Sequence, residues 1–157
     1  MNEYLLTVLK HEEFKEGEHW KRISVTAGTD IIRQGDAGRT FYLIESGRLR
    51  VLGHVGLGDD KHVNHGVCDL NPGEVVGELG LFDSEPRCAT VQAIEDCTLI
   101  EIDGDKLISF LNEHTDMGFK LLRSLMGVMV GRIRKSNEKV FSLLAWGLKA
   151  YQIEKDL

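Results

Sequence analysis

The feature that most constrains the fold is the alternation of short apolar runs with glycine-containing turns between residues 20 and 102. The runs are too short for buried helices, and turn sequences such as Gly-Asp, Ser-Gly and Asn-Pro-Gly favour chain reversal. We therefore predict about eight antiparallel strands in a jelly-roll barrel or sandwich. The predicted strands are 20–25, 30–33, 41–45, 49–55, 62–70, 74–76, 89–93 and 97–102.

Helical periodicity flanks this region on both sides. Apolar residues on one face predict a short N-terminal helix within residues 1–14, namely Leu5, Leu6, Leu9 and Phe14. After residue 103 we predict a short helix marked by Leu107, Phe110 and Leu111, a long helix over 116–139 and a last helical piece over 140–153. The expected fold is α+β in one domain, 1–157: an N-terminal helical segment (1–19), a β-roll (20–102) and C-terminal helices (103–157).

The long predicted helix carries two apolar stripes. One follows the alternating spacings of four and three that are typical of two helices packed side by side: Leu122, Met126, Met129, Ile133, Ser136, Val140 and Leu143. The other contains Leu121, Leu125 and Val128. A β-roll has little surface to cover both, so we predict a homodimer through this helix; burial of both stripes in one monomer is the alternative. Gly127 and Gly131 each cost the helix about 1 kcal/mol relative to alanine, so we expect close packing there.

Charge and cysteine content narrow the function classes. The net charge of −6, with a pI near 5.5, disfavours direct binding to DNA or to an anionic membrane. The first twenty residues carry charges throughout and predict neither a signal peptide nor a membrane span. Three cysteines without CxxC spacing fit a reducing compartment, so we predict a cytoplasmic protein.

The stretch from Gly77 to Arg87 has the composition of a phosphate site. One helical turn is predicted directly after Gly77, and the first turn of a helix leaves backbone N–H groups that attract anions. Gly77 and Gly80 have no side chains to block a ligand's approach, and Arg87 supplies a planar fork of donors for two phosphate oxygens. Glu78 would repel a phosphate but would accept a hydrogen bond from an adjoining ribose hydroxyl.

Each of these residues also has a simpler interpretation when it is taken singly. Glu78 would favour any helix N-terminus, and Arg87 would form an ion pair with Glu74 or Glu85. The combination of a glycine turn, a carboxylate and an arginine is much less common, and it favours a ligand site.

These residues resemble the phosphate-binding cassette of cyclic nucleotide-binding domains of the catabolite-activator and protein-kinase-A regulatory-subunit kind. The similar segments are Gly77-Glu78-Leu79-Gly80-Leu81-Phe82 and Pro86-Arg87-Cys88-Ala89-Thr90, with turn glycines at 28, 35, 47 and 73. The resemblance implies that Arg87 holds the cyclic phosphate and Glu78 the ribose 2′-hydroxyl. Backbone groups of Gly77, Leu79, Cys88 and Ala89 would complete the cradle.

The same resemblance bears on which nucleotide is bound. In that family the residue after the arginine is commonly alanine or serine in cAMP-binding members and threonine in many cGMP-binding ones. Here it is Cys88, which we expect to be a small buried residue or a redox-sensitive position. The missing threonine favours cAMP, and the thiol, a weak donor, predicts low affinity. Arg132, Ser136 and Asn137 on the long helix are the candidate base contacts by the same resemblance.

Other side chains support no second activity. His54, His62, His65 and Cys68 contain metal-binding atoms, but His62 and His65 would lie on opposite faces of a strand, so we predict no metal site. The sequence has no nucleophile elbow and no Walker-type loop, which predicts a protein that is not an enzyme and needs no cofactor. We expect Arg39 and Arg48 to face solvent.

The predicted function is a cytoplasmic, cyclic nucleotide-binding regulatory module. Binding of cAMP would shift a hinge near residues 103–114 together with the long helix. No helix-turn-helix domain of the catabolite-activator kind is expected after that helix, so the output would be an effector protein, and Trp146 with Leu143, Leu144 and Leu148 is a possible contact surface. The alternatives are a ligand-free interaction scaffold with the same fold, or a site for cGMP or a cyclic dinucleotide.

Overall fold

The computed structural model describes residues 3–56 and 62–150, apart from the side chains of residues 54–56 and 62–65. The chain divides into two compact units, Met1–Gly118 and Phe119–Leu157. The predicted loop at 57–60 and the predicted helix end at 151–153 lie outside the described residues. That the whole chain forms one domain stays a prediction.

Eight strands form two four-stranded antiparallel sheets in the first unit, which confirms the predicted β-roll. One sheet has the order β1-β8-β3-β6 and the other β2-β7-β4-β5. Predicted and observed strand ends differ by two residues at most, because the turn residues fix them. The strands are β1 Trp20–Val25, β2 Asp30–Ile32, β3 Phe41–Ser46, β4 Leu49–Gly56, β5 His62–Leu70, β6 Val75–Val76, β7 Thr90–Ala93 and β8 Cys97–Ile102.

The core of the β-roll is formed by apolar side chains from both sheets. In the first sheet, β8 lies between β1 and β3, and Leu99 pairs with Ile23 on one side and Ile44 on the other. In the second sheet, β4 pairs with both β5 and β7. Ile44, Leu49 and Leu99 are fully buried in one cluster. Removing such side chains from water is the main favourable contribution to folding.

Two short helices complete the first unit. Helix α1 spans Glu3–Leu9, and helix α2 spans Gly104–Glu113. Asp103 caps α2, since its side chain accepts a hydrogen bond of 3.1 Å from the Lys106 N–H. Leu107 and Phe110 are buried, as their spacing predicts.

The long helix α3 is continuous from Thr115 to Ala150, so the predicted break between residues 139 and 140 is wrong. Both prolines of the chain lie elsewhere, and the Ser142 hydroxyl donates to the Glu138 carbonyl at 2.8 Å inside the helix. Apart from the helix's own backbone, no described residue lies within 4 Å of a Cβ added at Gly127 or Gly131, so the described part of the chain does not pack closely there. Most seam residues are exposed: Leu122, Met126, Ile133, Ser136, Val140 and Leu143, with Met129 half-buried. Among the described residues, no helix combines the length and the apolar character that crossing a membrane requires.

Burial of Tyr42 in β3 generates a testable pH dependence. Burial, with a smaller effect of the Glu101 carboxylate, raises the pKa of Tyr42 from 10.0 to about 12. The folded protein therefore keeps a proton that the unfolded chain loses as the pH rises through this interval, so the free energy of unfolding should fall by about 1 kcal/mol per pH unit between pH 10 and 12. Denaturant unfolding of the wild type and of Tyr42→Phe measures this. The same slope in both proteins would contradict the assignment.

Candidate functional site

The candidate site begins where β6 ends. Gly77 has a φ of 86°, in the left-handed region, and a 3₁₀ helix follows over Glu78–Leu81. A Cβ at Gly77 would lie 2.6 Å from the Thr40 carbonyl oxygen. Both the backbone conformation and the space therefore require glycine, which lets the chain leave the sheet and enter the helical turn at once.

The Arg87 side chain is folded against this turn. Its Nη1 donates to the Gly77 carbonyl at 3.2 Å, and its Nη2 donates to the Thr40 carbonyl at 2.7 Å. A Cβ at Gly80 would lie 2.7 Å from Nη1, and one at Gly38 would lie 3.4 Å from Nη2. The glycines thus make room for the guanidinium.

The backbone of Arg87 is also fixed. Its N–H donates to the Asp36 carbonyl at 2.9 Å, and its carbonyl accepts from the Gly35 N–H at 2.8 Å. In the described part of the chain, Arg87 forms no ion pair with Glu74 or Glu85, so the simpler interpretation from sequence is not what the structure shows. Two of its five N–H groups bond to backbone carbonyls, and the other three donate to no acceptor among the residues that the structure describes.

Glu78 lies in the first turn of the 3₁₀ helix and is only 7% exposed. It directly follows Gly77, whose carbonyl accepts from Arg87. The structure therefore brings the predicted carboxylate and guanidinium to one turn of the backbone.

Three backbone donors lie around the same turn. Within residues 3–56 and 62–150, the N–H groups of Leu79, Cys88 and Ala89 donate to no protein acceptor. Leu79 is in the first helical turn, and Cys88 and Ala89 form the bend before β7. Unpaired N–H groups next to an arginine are the donors that an anionic ligand requires.

Cys88 is exposed, so the expectation of a small buried residue is wrong. The reason is the strand boundary: β7 begins at Thr90, and Cys88 lies in the preceding bend, outside the sheet. The Thr90 side chain is the buried one, and its hydroxyl accepts from the Gln34 N–H at 3.1 Å.

Arg39 is a residue of this site that the sequence analysis placed wrongly in solvent. Its Nε donates to the Gly80 carbonyl at 3.0 Å, and its Nη2 donates to the Leu81 carbonyl at 2.8 Å. Its Nη1 lies 2.8 Å from an Asp105 carboxylate oxygen in α2. Arg39 therefore links the end of the 3₁₀ helix to helix α2. Arg48, by contrast, forms an exposed ion pair with Glu95, as expected.

Other predicted residues belong to the second unit or have side chains outside the described residues. Arg132, Ser136 and Asn137 are on α3 in the second unit, and their role as base contacts stays a prediction. Of the histidines and cysteine considered for metal binding, the side chains of His54, His62 and His65 lie outside the described residues, and Cys68 is exposed.

A cavity in the first unit does not coincide with the turn. It measures about 370 Å³ and lies between residues 17–21 and 103–105. It shares Arg39 and Thr40 with the candidate site but touches neither residues 77–81 nor Arg87. Because the donors for an anion converge at the turn, we place the candidate site there.

The chain was compared with known protein families. A family model described as "Cyclic nucleotide-binding domain" matches residues 22–114, which is more than half of the sequence. The chain belongs to the cyclic nucleotide-binding domain family. The resemblance drawn from residues 77–90 is thereby confirmed.

Relatives of this cyclic nucleotide-binding domain include kinase subunits and transcription regulators. It is 33% identical over 94 residues to a cAMP-dependent protein kinase regulatory subunit of Dictyostelium discoideum, covering 60% of this chain and 28% of that protein. It is 25% identical over 117 residues to a CRP-like cAMP-activated global transcriptional regulator of Mycobacterium tuberculosis, covering 74% and 49%. The chain thus spans less than half the length of either relative.

Solved structures share the fold. The catabolite activator protein of Thermus thermophilus superposes with a TM-score of 0.68 at 24% identity, covering 91% of this chain and 60% of that one. This likeness supports the β-roll with its flanking helices.

Proposed function

We propose that this cyclic nucleotide-binding domain is a regulatory module that binds cAMP. The observation that carries the proposal is the Arg87 guanidinium, held by the carbonyls of Gly77 and Thr40 beside unpaired backbone N–H groups. Several relatives are named for cAMP, and the residue after Arg87 is not a threonine. These points favour cAMP over cGMP.

The donors at the turn suit a single cyclic phosphate. A phosphodiester carries one negative charge, which one guanidinium balances. The remaining Arg87 N–H groups would bind phosphate oxygens, and the N–H groups of Leu79, Cys88 and Ala89 would bind the same phosphate from the backbone side. Electrostatic attraction is strengthened because Arg87 is half-buried.

Glu78 would select the sugar. Glu78 is only 7% exposed, and its carboxylate would accept a hydrogen bond from a ribose 2′-hydroxyl that adjoins the phosphate. Its position directly after Gly77 supports this role, because the ribose of a 3′,5′-cyclic nucleotide adjoins the phosphate. A deoxyribose analogue should therefore bind more weakly.

The regulatory output would pass through helix α2. Arg39 joins the Gly80 and Leu81 carbonyls to Asp105, and a Cβ at Gly104 would overlap the Arg39 carbonyl. The beginning of α2 therefore lies tightly against the turn that would receive the phosphate. A ligand that moves this turn would move α2, which makes up most of the hinge near residues 103–114.

The Arg39 link predicts that the response of helix α2 to cAMP can be weakened without loss of cAMP binding. In wild-type protein, cAMP should slow amide hydrogen exchange in α2. In Arg39→Ala, cAMP should still bind, because Arg39 contacts carbonyls of the turn, but the slowing in α2 should be reduced. Arg48→Ala is the matched control, because Arg48 pairs with Glu95 on the surface. Unchanged slowing in Arg39→Ala would disprove the link.

Two other functions remain to be tested against cAMP binding. The exposed Cys88 thiol stands where a hydroxyl or a methyl group is common in the family, which favours a ligand-free scaffold with the same fold. A site for cGMP or a cyclic dinucleotide would keep the same phosphate donors and differ in the contacts to the base. Calorimetry with cAMP, cGMP and cyclic di-GMP separates the three.

Replacing Arg87 should weaken cAMP binding by roughly 100-fold, because about 3 kcal/mol of charged hydrogen bonding is lost. Arg87→Ala also removes the bonds to Gly77 and Thr40, so circular dichroism must show that the variant is folded. Arg87→Lys keeps the charge but loses the planar fork of donors, so its affinity for cAMP should lie between those of the wild type and Arg87→Ala. Arg33→Ala is the control, since Arg33 is exposed and pairs with Asp30.

The outcomes of this titration are distinct. No heat with any nucleotide in folded wild type would support the scaffold. Equal affinity in wild type and in Arg87→Ala would remove the role assigned to the arginine. Tighter binding of cGMP or cyclic di-GMP than of cAMP would replace the proposed ligand.

We also propose that two copies pair through α3. The seam side chains of Leu122, Met126 and Ile133 are about half exposed. Beyond the local helix backbone, none of the residues that the structure describes lies within 4 Å of a Cβ at Gly127 or Gly131. A row of exposed apolar side chains at heptad spacing would be covered by the same row of a second copy.

A charge placed in the seam should break the dimer. Met126→Glu should sediment as a monomer at concentrations where the wild type sediments as a dimer, because a carboxylate would be buried opposite its copy. Leu144→Glu is the control, since Leu144 is 60% exposed but lies outside the seam. A wild type that stays monomeric throughout, or a dimer that survives Met126→Glu, would refute the seam.

The cytoplasm is the proposed compartment. All three cysteines are free, and Cys68 and Cys88 are exposed, which suits a reducing environment. The net charge of −6 supports a small-molecule ligand and an effector protein rather than direct contact with DNA. Fractionation of the host cell tests the compartment.

A further inference from the structure

A cluster of metal-ligating side chains lies where the segment after α1 meets the end of α2. It consists of His11, Glu13 and His114, whose ligand atoms all lie within 4.8 Å of one another. All three belong to the first unit. No sequence spacing points to this group, because the fold brings His114 to two residues near the N-terminus. The cAMP site proposed above does not use these residues.

His114 is oriented as a metal ligand needs to be. Its Nδ1 lies 3.0 Å from the Phe110 carbonyl, and because a carbonyl can only accept, Nδ1 is the protonated donor. Nε2 then faces the Glu13 carboxylate, with 3.3 Å between Nε2 and Oε2. The ring also stacks on Phe110, with centroids 4.2 Å apart and an angle of 20°. A histidine whose second nitrogen is bonded to a carbonyl is the usual arrangement around bound zinc.

His11 approaches the same point from the other side. Its ring lies edge-on to Phe110 at 5.1 Å and to His114 at 4.8 Å between centroids. Its Nδ1 accepts a long hydrogen bond of 3.3 Å from the Glu13 N–H. Because this bond is long, it holds the ring only weakly, and a change of tautomer would present either nitrogen to an ion.

The distances suit a small tetrahedral ion. Two ligand atoms bound at about 2.0–2.1 Å on a tetrahedral ion are about 3.3 Å apart, which is the separation of Glu13 Oε2 and His114 Nε2. Closing the wider 4.8 Å spread requires a small movement, and the Glu13 side chain is free to make it because it is 59% exposed. Two imidazoles and one carboxylate form a ligand set typical of zinc.

The surroundings provide access and charge. A cavity of about 260 Å³ adjoins the cluster at Glu13, and its lining includes the carboxylates of Glu13, Asp105 and Glu113 together with the single ammonium of Lys106 and the ring of His19. His11 and His114 are not part of this lining. Carboxylates around an open cavity attract a divalent cation and leave room for water. We propose that His11, Glu13 and His114 bind one Zn²⁺ ion, with water as the fourth ligand.

Zinc would join the segment after α1 to the junction between α2 and α3. Helix α2 ends at Glu113, His114 follows it, and α3 begins at Thr115. This junction belongs to the hinge of the proposed function, so bound zinc would restrain the ligand response. That consequence rests on the proposed function, whereas the metal site does not.

Titration of the metal-free protein with Zn²⁺ against a chromophoric chelator, under thiol-reducing conditions, tests the site without any nucleotide. The wild type should bind one ion. His114→Gln and Glu13→Gln should each weaken Zn²⁺ binding by about tenfold or more, because even the loss of a residue that only hydrogen-bonds to a metal ligand costs this much. Glu12→Gln is the matched control outside the cluster and should bind as the wild type does.

Two further measurements distinguish zinc binding by this cluster from thiol binding and from loss of folding. Co²⁺ in place of Zn²⁺ should give no thiolate charge-transfer band; such a band would mean that the exposed Cys68 or Cys88 binds the metal instead. His114→Gln loses the stack on Phe110 and could therefore unfold. If it does, Glu13→Gln is the deciding variant, because it changes only an exposed carboxylate. Wild-type affinity in folded Glu13→Gln, or no binding by the wild type, would overturn the proposal. Failure of cAMP binding would leave this result unaffected.

Discussion

The arrangement of the whole site depends on the hydrogen bonds from the Arg87 guanidinium to the carbonyls of Gly77 and Thr40. Arg87 precedes β7 in one sheet, whereas Gly77 follows β6 and Thr40 precedes β3 in the other. One side chain therefore joins the ends of the two sheets. Because a charged donor strengthens each bond, this contact holds the open end of the β-roll in a fixed shape.

The glycines of the site follow from that contact. An arginine folded against backbone carbonyls needs space, and a side chain at Gly80 or Gly77 would take it, since a Cβ there would lie 2.7 Å or 3.3 Å from Nη1. Gly77 has the further task of reversing the chain with a positive φ, so that the 3₁₀ helix begins directly after the strand. The same lack of side chains leaves the backbone N–H groups accessible, which is why a structural requirement and a binding surface occur in the same residues.

Sequence patterns predicted the strands well because glycine-containing turns fix where each strand can end. The helical turn after Gly77 was also predictable, since Gly77, Glu78 and Arg87 are close in the chain; that this turn binds a phosphate stays a prediction. Contacts between distant segments of the chain could not be predicted from the sequence. Arg39 reaches the Gly80 and Leu81 carbonyls through tertiary structure, which no local pattern reports. The exposure of Cys88 was missed because Cys88 lies in the bend before β7, where the alternation of a strand does not apply and the burial of a single side chain depends on tertiary packing.

The double use of Arg87 has a thermodynamic consequence. The guanidinium already stabilises the β-roll through two carbonyls, so a phosphate must either bind its remaining N–H groups or displace one of these bonds. In the first case the ligand adds interactions to the folded state and raises its stability by mass action. In the second, part of the binding free energy is spent on breaking the contact between the sheets, and the turn moves. Under the proposed function, only the second case would transmit a change through Arg39 to helix α2, so a strong regulatory response and the tightest affinity would be competing demands on one side chain.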